Sequence, residues 1–322
     1  MSTVAIVTPV YEDQESFAEL CRVLALAERE AGVRLHLIAV DDGSLRAPPQ
    51  LASIAAAKLS GEVLRLARNV GHQMAIAVGL AHAATLTNLD ACVVMDSDGE
   101  DTPESIPGLL AGVKGADIDV AVAERAKRSE PLTFRAFYVV YKRLFKLATG
   151  QVLRFGNFMA LSPMALERLS GMYETSTHVA AAVVKAKLRR ADVPTNRGMR
   201  YAGRSKMNFP SLVLHGMRAV MVFSDLVLTR MALTLVAMAG LVTAVVIGAF
   251  AMKLLGFATP GWVTIVTGFA LSLFLQTGLF TMITMLVSSL GRIDTPPRVR
   301  ERALEYIARI EKTEAPSLAA IG

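Results

Sequence analysis

The chain has 322 residues, a formal net charge of +6, a pI near 9.4 and a mean hydropathy of +0.43. That length holds two domains at the usual ~100–200 residues each. Its two cysteines, Cys21 and Cys92, lie inside apolar segments and exclude a disulfide framework. The basic residues flank apolar stretches, which points away from nucleic acid and towards anionic lipid or phosphate-bearing substrates.

Thr3–Pro9 is a short apolar run that predicts a first strand, and no basic leader precedes it. A helix follows over Glu15–Ala31, where Phe17, Leu20, Leu24 and Ala27 recur at helical spacing. Arg34–Val40 is a second strand, ending in Asp41-Asp42-Gly43-Ser44. Leu51–Leu59 reads as a helix, Glu62–Leu66 as a third strand and Gly71–Ala84 as a helix. Ala91–Met95 is a fourth strand, ending in Asp96-Ser97-Asp98, and Val120–Ala123 a fifth. Strands alternating with helices predict a mainly parallel α/β sheet, in which ligands bind at the carboxyl ends of strands. Both acidic clusters fall at such ends.

Pro131–Gly150 predicts a basic amphipathic helix at a membrane surface, and Asn208–Asp225 a second surface helix. No charged residue lies between Arg230 and Lys253, nor between Lys253 and Arg292. A bilayer core needs about 20 apolar residues in a helix. Met231–Met252 and Trp262–Leu290 meet that length. Arg218 and Arg230 precede the first span, and Arg292, Arg298, Arg300 and Arg302 follow the second. The positive-inside rule then puts the catalytic part and both termini in the cytoplasm, as in a bacterial inner membrane. The expected domains are 1–208 catalytic, with 131–150 a surface helix, then 209–230 juxtamembrane, 231–291 two transmembrane helices and 292–322 a cytoplasmic tail. Within that tail Arg300–Lys312 is compatible with a helix.

Two carboxylates two residues apart, as in Asp96 and Asp98, can share one Mg²⁺ or Mn²⁺ with a substrate diphosphate. Asp41 and Asp42 can accept hydrogen bonds from a base edge or a ribose, with Gly43 permitting the turn. Pro9 ends the first strand, while Tyr11 can pack on a base and Glu12 reach a ribose. Arg125, Arg128, Arg204 and Lys206 are candidates for phosphate. The histidines show no zinc-like spacing and read as structural.

The motifs come in order: Thr8-Pro9-Val10-Tyr11-Glu12, Val40-Asp41-Asp42-Gly43-Ser44, Arg68-Asn69-Val70-Gly71 and Met95-Asp96-Ser97-Asp98-Gly99-Glu100-Asp101. Phe155-Gly156-Asn157-Phe158 and Gly203-Arg204-Ser205-Lys206 follow. Together they resemble glycosyltransferase family 2 of GT-A fold, in its polyprenyl-phosphate branch of dolichyl-phosphate mannose synthases and bactoprenol glucosyltransferases. The resemblance implies a Rossmann-like catalytic domain that takes a UDP- or GDP-sugar and glycosylates a polyprenyl phosphate with inversion. It implies a nucleotide-sugar set of Pro9, Tyr11, Glu12, Asp41, Asp42, Ser44, Asn69, Gly71, Asp96 and Ser97, with Asp96 and Asp98 on the metal. The implied catalytic set is Asp98, Asp101, Arg125, Arg204 and Lys206, and the acceptor phosphate falls to Arg128, Asn157, Arg204, Ser205 and Lys206. A homo-oligomer, a tetramer among the candidates, is implied as well. Asn157 departs from the family's usual Gly-Asp-Phe-Arg, so no general base is assigned there. A phosphate acceptor is mostly ionised at pH 7, its second pKa being near 6, and needs little such help. Two other readings remain: the same fold with another lipid or saccharide acceptor, and a non-catalytic nucleotide-binding membrane scaffold.

Overall fold

A computed structural model describes residues 2–114, 117–125, 132–203, 209–257, 259–293 and 299–313. The chain divides into two units: Met1–Val139 with Leu153–Val222 and Pro296–Gly322, and Val140–Val152 with Phe223–Thr295.

The first unit is built on eight strands among the described residues: β1 (Thr3–Val10), β2 (Arg34–Asp41), β3 (Ser60–Leu66), β4 (Ala91–Val94), β5 (Val120–Arg125), β6 (Met159–Leu161), β7 (Arg190–Thr195) and β8 (Ile307–Lys312). Their order is β7-β5-β6-β4-β1-β2-β3-β8. β1 pairs in parallel with both β2 and β4, while β6 and β8 run antiparallel to their neighbours. The chain winds outwards from β1 through β2 to β3, then returns to β4 on the other side of β1. The switch point lies between β1 and β4, where such sheets open a crevice.

The helices in chain order are α1 (Gln14–Ala31), α2 (Leu51–Ala56), α3 (His72–Ala83), α4 (Ile106–Val113), α5 (Leu132–Thr149), α6 (Pro163–Ser170), α7 (Tyr173–Thr177), α8 (Val179–Lys185), α9 (Phe209–Val222), α10 (Ser224–Leu254), α11 (Trp262–Ile293) and α12 (Val299–Leu304). α1 starts where the Asp13 side chain accepts from Ser16 N at 3.4 Å, and stops at left-handed Gly32.

Strand periodicity of two sends alternate side chains to opposite faces. Val4 and Ile6 of β1 join Phe17, Leu20 and Leu24 of α1 in one core. Ala5 and Val7 join Ile76 and Leu80 of α3 in the other. Each such large side chain, fully buried, contributes about 1.5–3 kcal/mol. Covering both faces explains why the inner strands read as unbroken apolar runs. α3 is buried almost all round because it lies on β1 and β2 and also meets α6, α7 and α12. A Cβ at its Gly79 would collide with Val7 Cγ1, so this glycine sets how closely α3 approaches the sheet.

The C-terminal segment differs from its sequence expectation. Only Val299–Leu304 is helical, and Ile307–Lys312 adds to the sheet as β8, antiparallel to β3. Its local pattern is compatible with a helix, but the open edge of β3 offers a full ladder of backbone partners. Lys312 Nζ also reaches buried Glu62 at 3.2 Å, where His82 Nε2 approaches at 2.6 Å and His36 Nε2 at 3.4 Å. These partners outweigh burial and hold the Glu62 carboxyl well below the usual range.

In the second unit α10 and α11 pack together as a hairpin. The two candidate spans, Ser224–Leu254 and Trp262–Leu286, have mean hydropathies of 2.4 and 1.7 and only 6% and 0% of their apolar cores buried. Core helices of that composition would be enclosed, so these are membrane-facing helices and the chain is a membrane protein. Both helices extend beyond the uncharged runs. α10 begins at Ser224, and one turn and a half in, Arg230 donates from Nη1 to Leu147 O at the end of α5, 2.7 Å away. Phe223 meets Phe145 edge-on at 6.0 Å.

Candidate active site

The loops leaving the carboxyl ends of β1, β2 and β4 lie side by side. The β2 loop is tied together internally. Asp41 Oδ1 accepts from Ser44 N at 3.0 Å, and its Oδ2 from Arg65 Nη1 at 2.9 Å. Asp42 accepts from Val70 N at 2.6 Å and Gly71 N at 3.0 Å, at the start of α3. A carboxylate suits that helix end, where unpaired N–H groups converge. Burial pushes the Asp42 carboxyl up, and those two N–H groups pull it back. Asn69 Nδ2 donates to Asp42 O at 3.1 Å. Gly43 has φ 71°, and a Cβ there would come within 2.5 Å of Asn69 N.

Glu12 stands at φ 49° and its carboxylate accepts from Leu45, Arg46 and Ala47 N at 2.7–3.2 Å. Those backbone donors lower its pKa. Glu12 N in turn donates to Ser44 Oγ at 2.8 Å. Pro9 is buried beside Val40 in the ladder, and Tyr11 is 45% exposed at the rim. Pro9, Tyr11, Glu12, Asp41, Asp42, Ser44, Asn69 and Gly71 of the sequence-predicted nucleotide set are therefore gathered at one place, while Asp96 and Ser97 belong to the β4 loop. The carboxylates among them shape the loop first, leaving Tyr11 as the accessible apolar face.

The β4 loop is different. Asp101 is 2% exposed and accepts from Asp96 N at 3.0 Å. Asp98 Oδ1 accepts from Glu100 N at 2.9 Å, and its Oδ2 lies 2.5 Å from Arg200 Nη2. Arg197 Nη2 holds Glu100 Oε2 at 2.5 Å. Residues 197–201 are clasped to this loop by Gly198 N donating to Glu100 O at 3.1 Å and Tyr201 N to Asp98 O at 2.8 Å. Asp101 and Arg197 form a backbone bridge. Gly99 takes φ 90°, with Tyr201 against it. Ser97 is buried.

His72, at the start of α3, reaches across from the third side. Its Nε2 lies 3.3 Å from Asp96 Oδ1 and 3.1 Å from Asn157 Nδ2. Without a proton, Nε2 accepts from the Asn157 amide; with one, it donates to Asp96. The His72 side chain is 46% exposed, and desolvation by the surrounding protein lowers its pKa against the pull of Asp101, Asp42 and Asp98. The structure places His72, one of the histidines read as structural from the sequence, beside Asp96 and Asn157. His72 faces the acidic loop because Gly71 starts α3 immediately beside it.

Arg197 and Arg200 were also missed, since neither sits in a recognised motif. The signal was the run Asn196-Arg197-Gly198-Met199-Arg200, where a small residue flanked by arginines lets two backbones touch. Arg125 closes β5 opposite Thr195. Its side chain, and Arg128, Arg204, Ser205 and Lys206, lie outside the described residues.

Of the four carboxylates in this loop (Asp96, Asp98, Glu100, Asp101), Asp98 and Glu100 pair with the guanidinium groups of Arg200 and Arg197. Asp96 and Asp98 offer the hard oxygen donors a divalent cation prefers, and Asp98 already carries a cationic partner; among the described residues no three acidic or histidine side chains converge as a preformed metal site.

The fold and this crevice define a GT-A glycosyltransferase. Residues 5–174 match the model of glycosyl transferase family 2, and the chain belongs to that family. It is 28% identical over 258 residues to the undecaprenyl-phosphate 4-deoxy-4-formamido-L-arabinose transferases of Salmonella paratyphi B and Salmonella newport, covering 78% of this chain and 75% of each relative. Among solved structures, mannosyl-3-phosphoglycerate synthase from Rubrobacter xylanophilus shares the fold at TM-score 0.50 and 16% identity, over 70% of this chain and 73% of that one.

Proposed function

We propose that this glycosyltransferase moves a sugar from a UDP- or GDP-sugar to a polyprenyl phosphate at the cytoplasmic face of a membrane, with inversion. What carries the reading is one chain joining the acidic β4 crevice to two apolar, outward-facing helices. The similarity to transferases named for undecaprenyl phosphate supports the acceptor class.

Asp96 and Asp98 are the residues to hold Mg²⁺ or Mn²⁺, through carboxylate oxygens at the end of β4. When bound, the ion neutralises the nucleoside diphosphate leaving group. The β2 loop and Tyr11 frame the nucleotide, with Glu12, Asp41 and Asp42 fixing the backbone around it. Arg125, Arg128, Arg204, Ser205 and Lys206 remain the proposed phosphate contacts. Orientation of an already ionised acceptor, and charge placed opposite the diphosphate, account for most of the acceleration. Asn157 and His72 put no further negative charge beside that acceptor.

The test is product formation in detergent with undecaprenyl phosphate, Mg²⁺ or Mn²⁺, and radiolabelled UDP- and GDP-sugars. Label entering the organic phase from one donor, and lost with EDTA, is the expected result. Failure of every donor, with metal-dependent nucleotide binding intact, would discard the polyprenyl phosphate as acceptor.

A further inference from the structure

Both oxygens of Asp98 are engaged by the protein itself. Oδ1 takes Glu100 N at 2.9 Å, and Oδ2 takes Arg200 Nη2 at 2.5 Å. The Arg200 side chain is 23% exposed and that of Asp98 15%, so water screens the pair only partly. Glu100 Oε1 stands 3.8 Å from the same nitrogen. A guanidinium on a carboxylate is a charge-assisted bond, about twice as strong as a neutral one. A cation approaching Asp98 Oδ2 must displace it.

The displacement is confined to a side chain. Residues 198 and 201 are held to the β4 loop by two backbone hydrogen bonds, and residue 197 by a bridge to Asp101. A Cβ at Gly198 would run into Gly99 O, so the two backbones touch. Arg197 keeps its own pairing with Glu100. When Arg200 leaves Asp98, its Cα stays where it is, and the guanidinium remains within a side-chain length of whatever anion enters the crevice.

Charge decides where it goes. A divalent ion entering alone gains the carboxylates but strands a guanidinium beside itself, and like charges in a partly desolvated crevice repel. A nucleoside diphosphate entering with the ion brings oxygens for both. We infer that Arg200 is the internal counter-cation of the metal site, holding Asp98 until donor and metal arrive together. This rests on the reading of Asp96 and Asp98 as metal ligands. Its consequence is a coupling between nucleotide and metal, reciprocal by linkage. The metal alone binds weakly, the diphosphate raises its affinity, and Arg200 is the positioning residue responsible for much of that increase.

The experiment is Mn²⁺ binding to the full chain in detergent, followed by electron paramagnetic resonance of free Mn²⁺, with and without UDP or GDP. Arg200→Gln should bind Mn²⁺ alone roughly tenfold more tightly than wild type, and the enhancement by nucleotide should shrink by a similar factor. Arg200→Lys, which keeps the charge, should stay near wild type. Equal or weaker Mn²⁺ binding by Arg200→Gln, with the nucleotide enhancement unchanged, would overturn the proposal while leaving the metal site standing. Asp98→Ala separates the two ideas. If it binds Mn²⁺ as well as wild type does, the metal-ligand reading falls and this inference with it.

Discussion

The loops after β2 and β4 look alike in sequence, each an acidic pair at the end of a parallel strand, yet their carboxylates are partnered differently. After β2, Asp41 and Asp42 are 3% exposed and satisfied by backbone N–H groups and Arg65. After β4, Asp98 takes Glu100 N and Arg200, Glu100 takes Arg197, Asp101 takes Asp96 N, and Asp96 lies beside His72. The first loop is a scaffold whose charges are neutralised within the fold. The second is suited to take up a cation. An Asp-Asp or Asp-x-Asp pattern thus states only that carboxylates are near a strand end. What they do depends on how many N–H groups the neighbouring backbone turns towards them.

Substitutions separate the two loops. The largest effect belongs to the β4 loop: Asp98→Ala should lower turnover by on the order of 10³-fold or more, since several kcal/mol of leaving-group stabilisation depend on it. Loss of its bonds to Glu100 N and Arg200 should also cost about 1–2 kcal/mol in stability, and a protein that fails to fold would make Asp98 a structural residue. Asp42→Ala should behave the other way. It leaves Val70 and Gly71 N–H unpaired at the start of α3, costing about 2 kcal/mol in stability by thermal denaturation. Mn²⁺ affinity should change little.

Acid provides a third, smaller contrast. His178 stacks on His215 with ring centroids 4.3 Å apart. Burial, then His215 and Arg218, press the His178 pKa down to about 3, and burial, His72 and Arg218 lower that of His215. A histidine depressed in the folded state contributes stability that is complete above its unfolded value near 6.5. That stability is lost as pH falls from there towards 3, at about 1.4 kcal/mol per pH unit from His178 alone. His178→Asn keeps an acceptor for Ala181 N and should flatten the acid limb of a melting-temperature profile. An unchanged limb would place the acid sensitivity elsewhere.

The smallest effect tests the reach of the C-terminal strand. Glu311 of β8 holds Arg65 at 2.9 Å and 3.2 Å, and Arg65 holds Asp41. Glu311→Ala should cost about 1 kcal/mol or less in stability and weaken nucleotide binding a few-fold through the loosened β2 loop, measured by calorimetry. Glu311→Asp should recover part of it.

The α/β class, the inner strands, the two apolar spans and the grouping of the β1, β2 and β4 loops were legible in the sequence. Each depends on local period and on the rule that parallel strands present their carboxyl ends together. The fate of Ile307–Lys312 was not legible, because a short alternating segment becomes a strand only where an edge is waiting, and that edge lies about 245 residues earlier, at β3. Neither was His72, nor the arginines at 197 and 200. Their importance comes from which backbone they touch, not from their neighbours in the chain. The sequence by itself determined the fold class, the membrane helices and the supply of carboxylates. Only the tertiary structure decided which N–H group or arginine each carboxylate takes, because those partners come from other strands and loops.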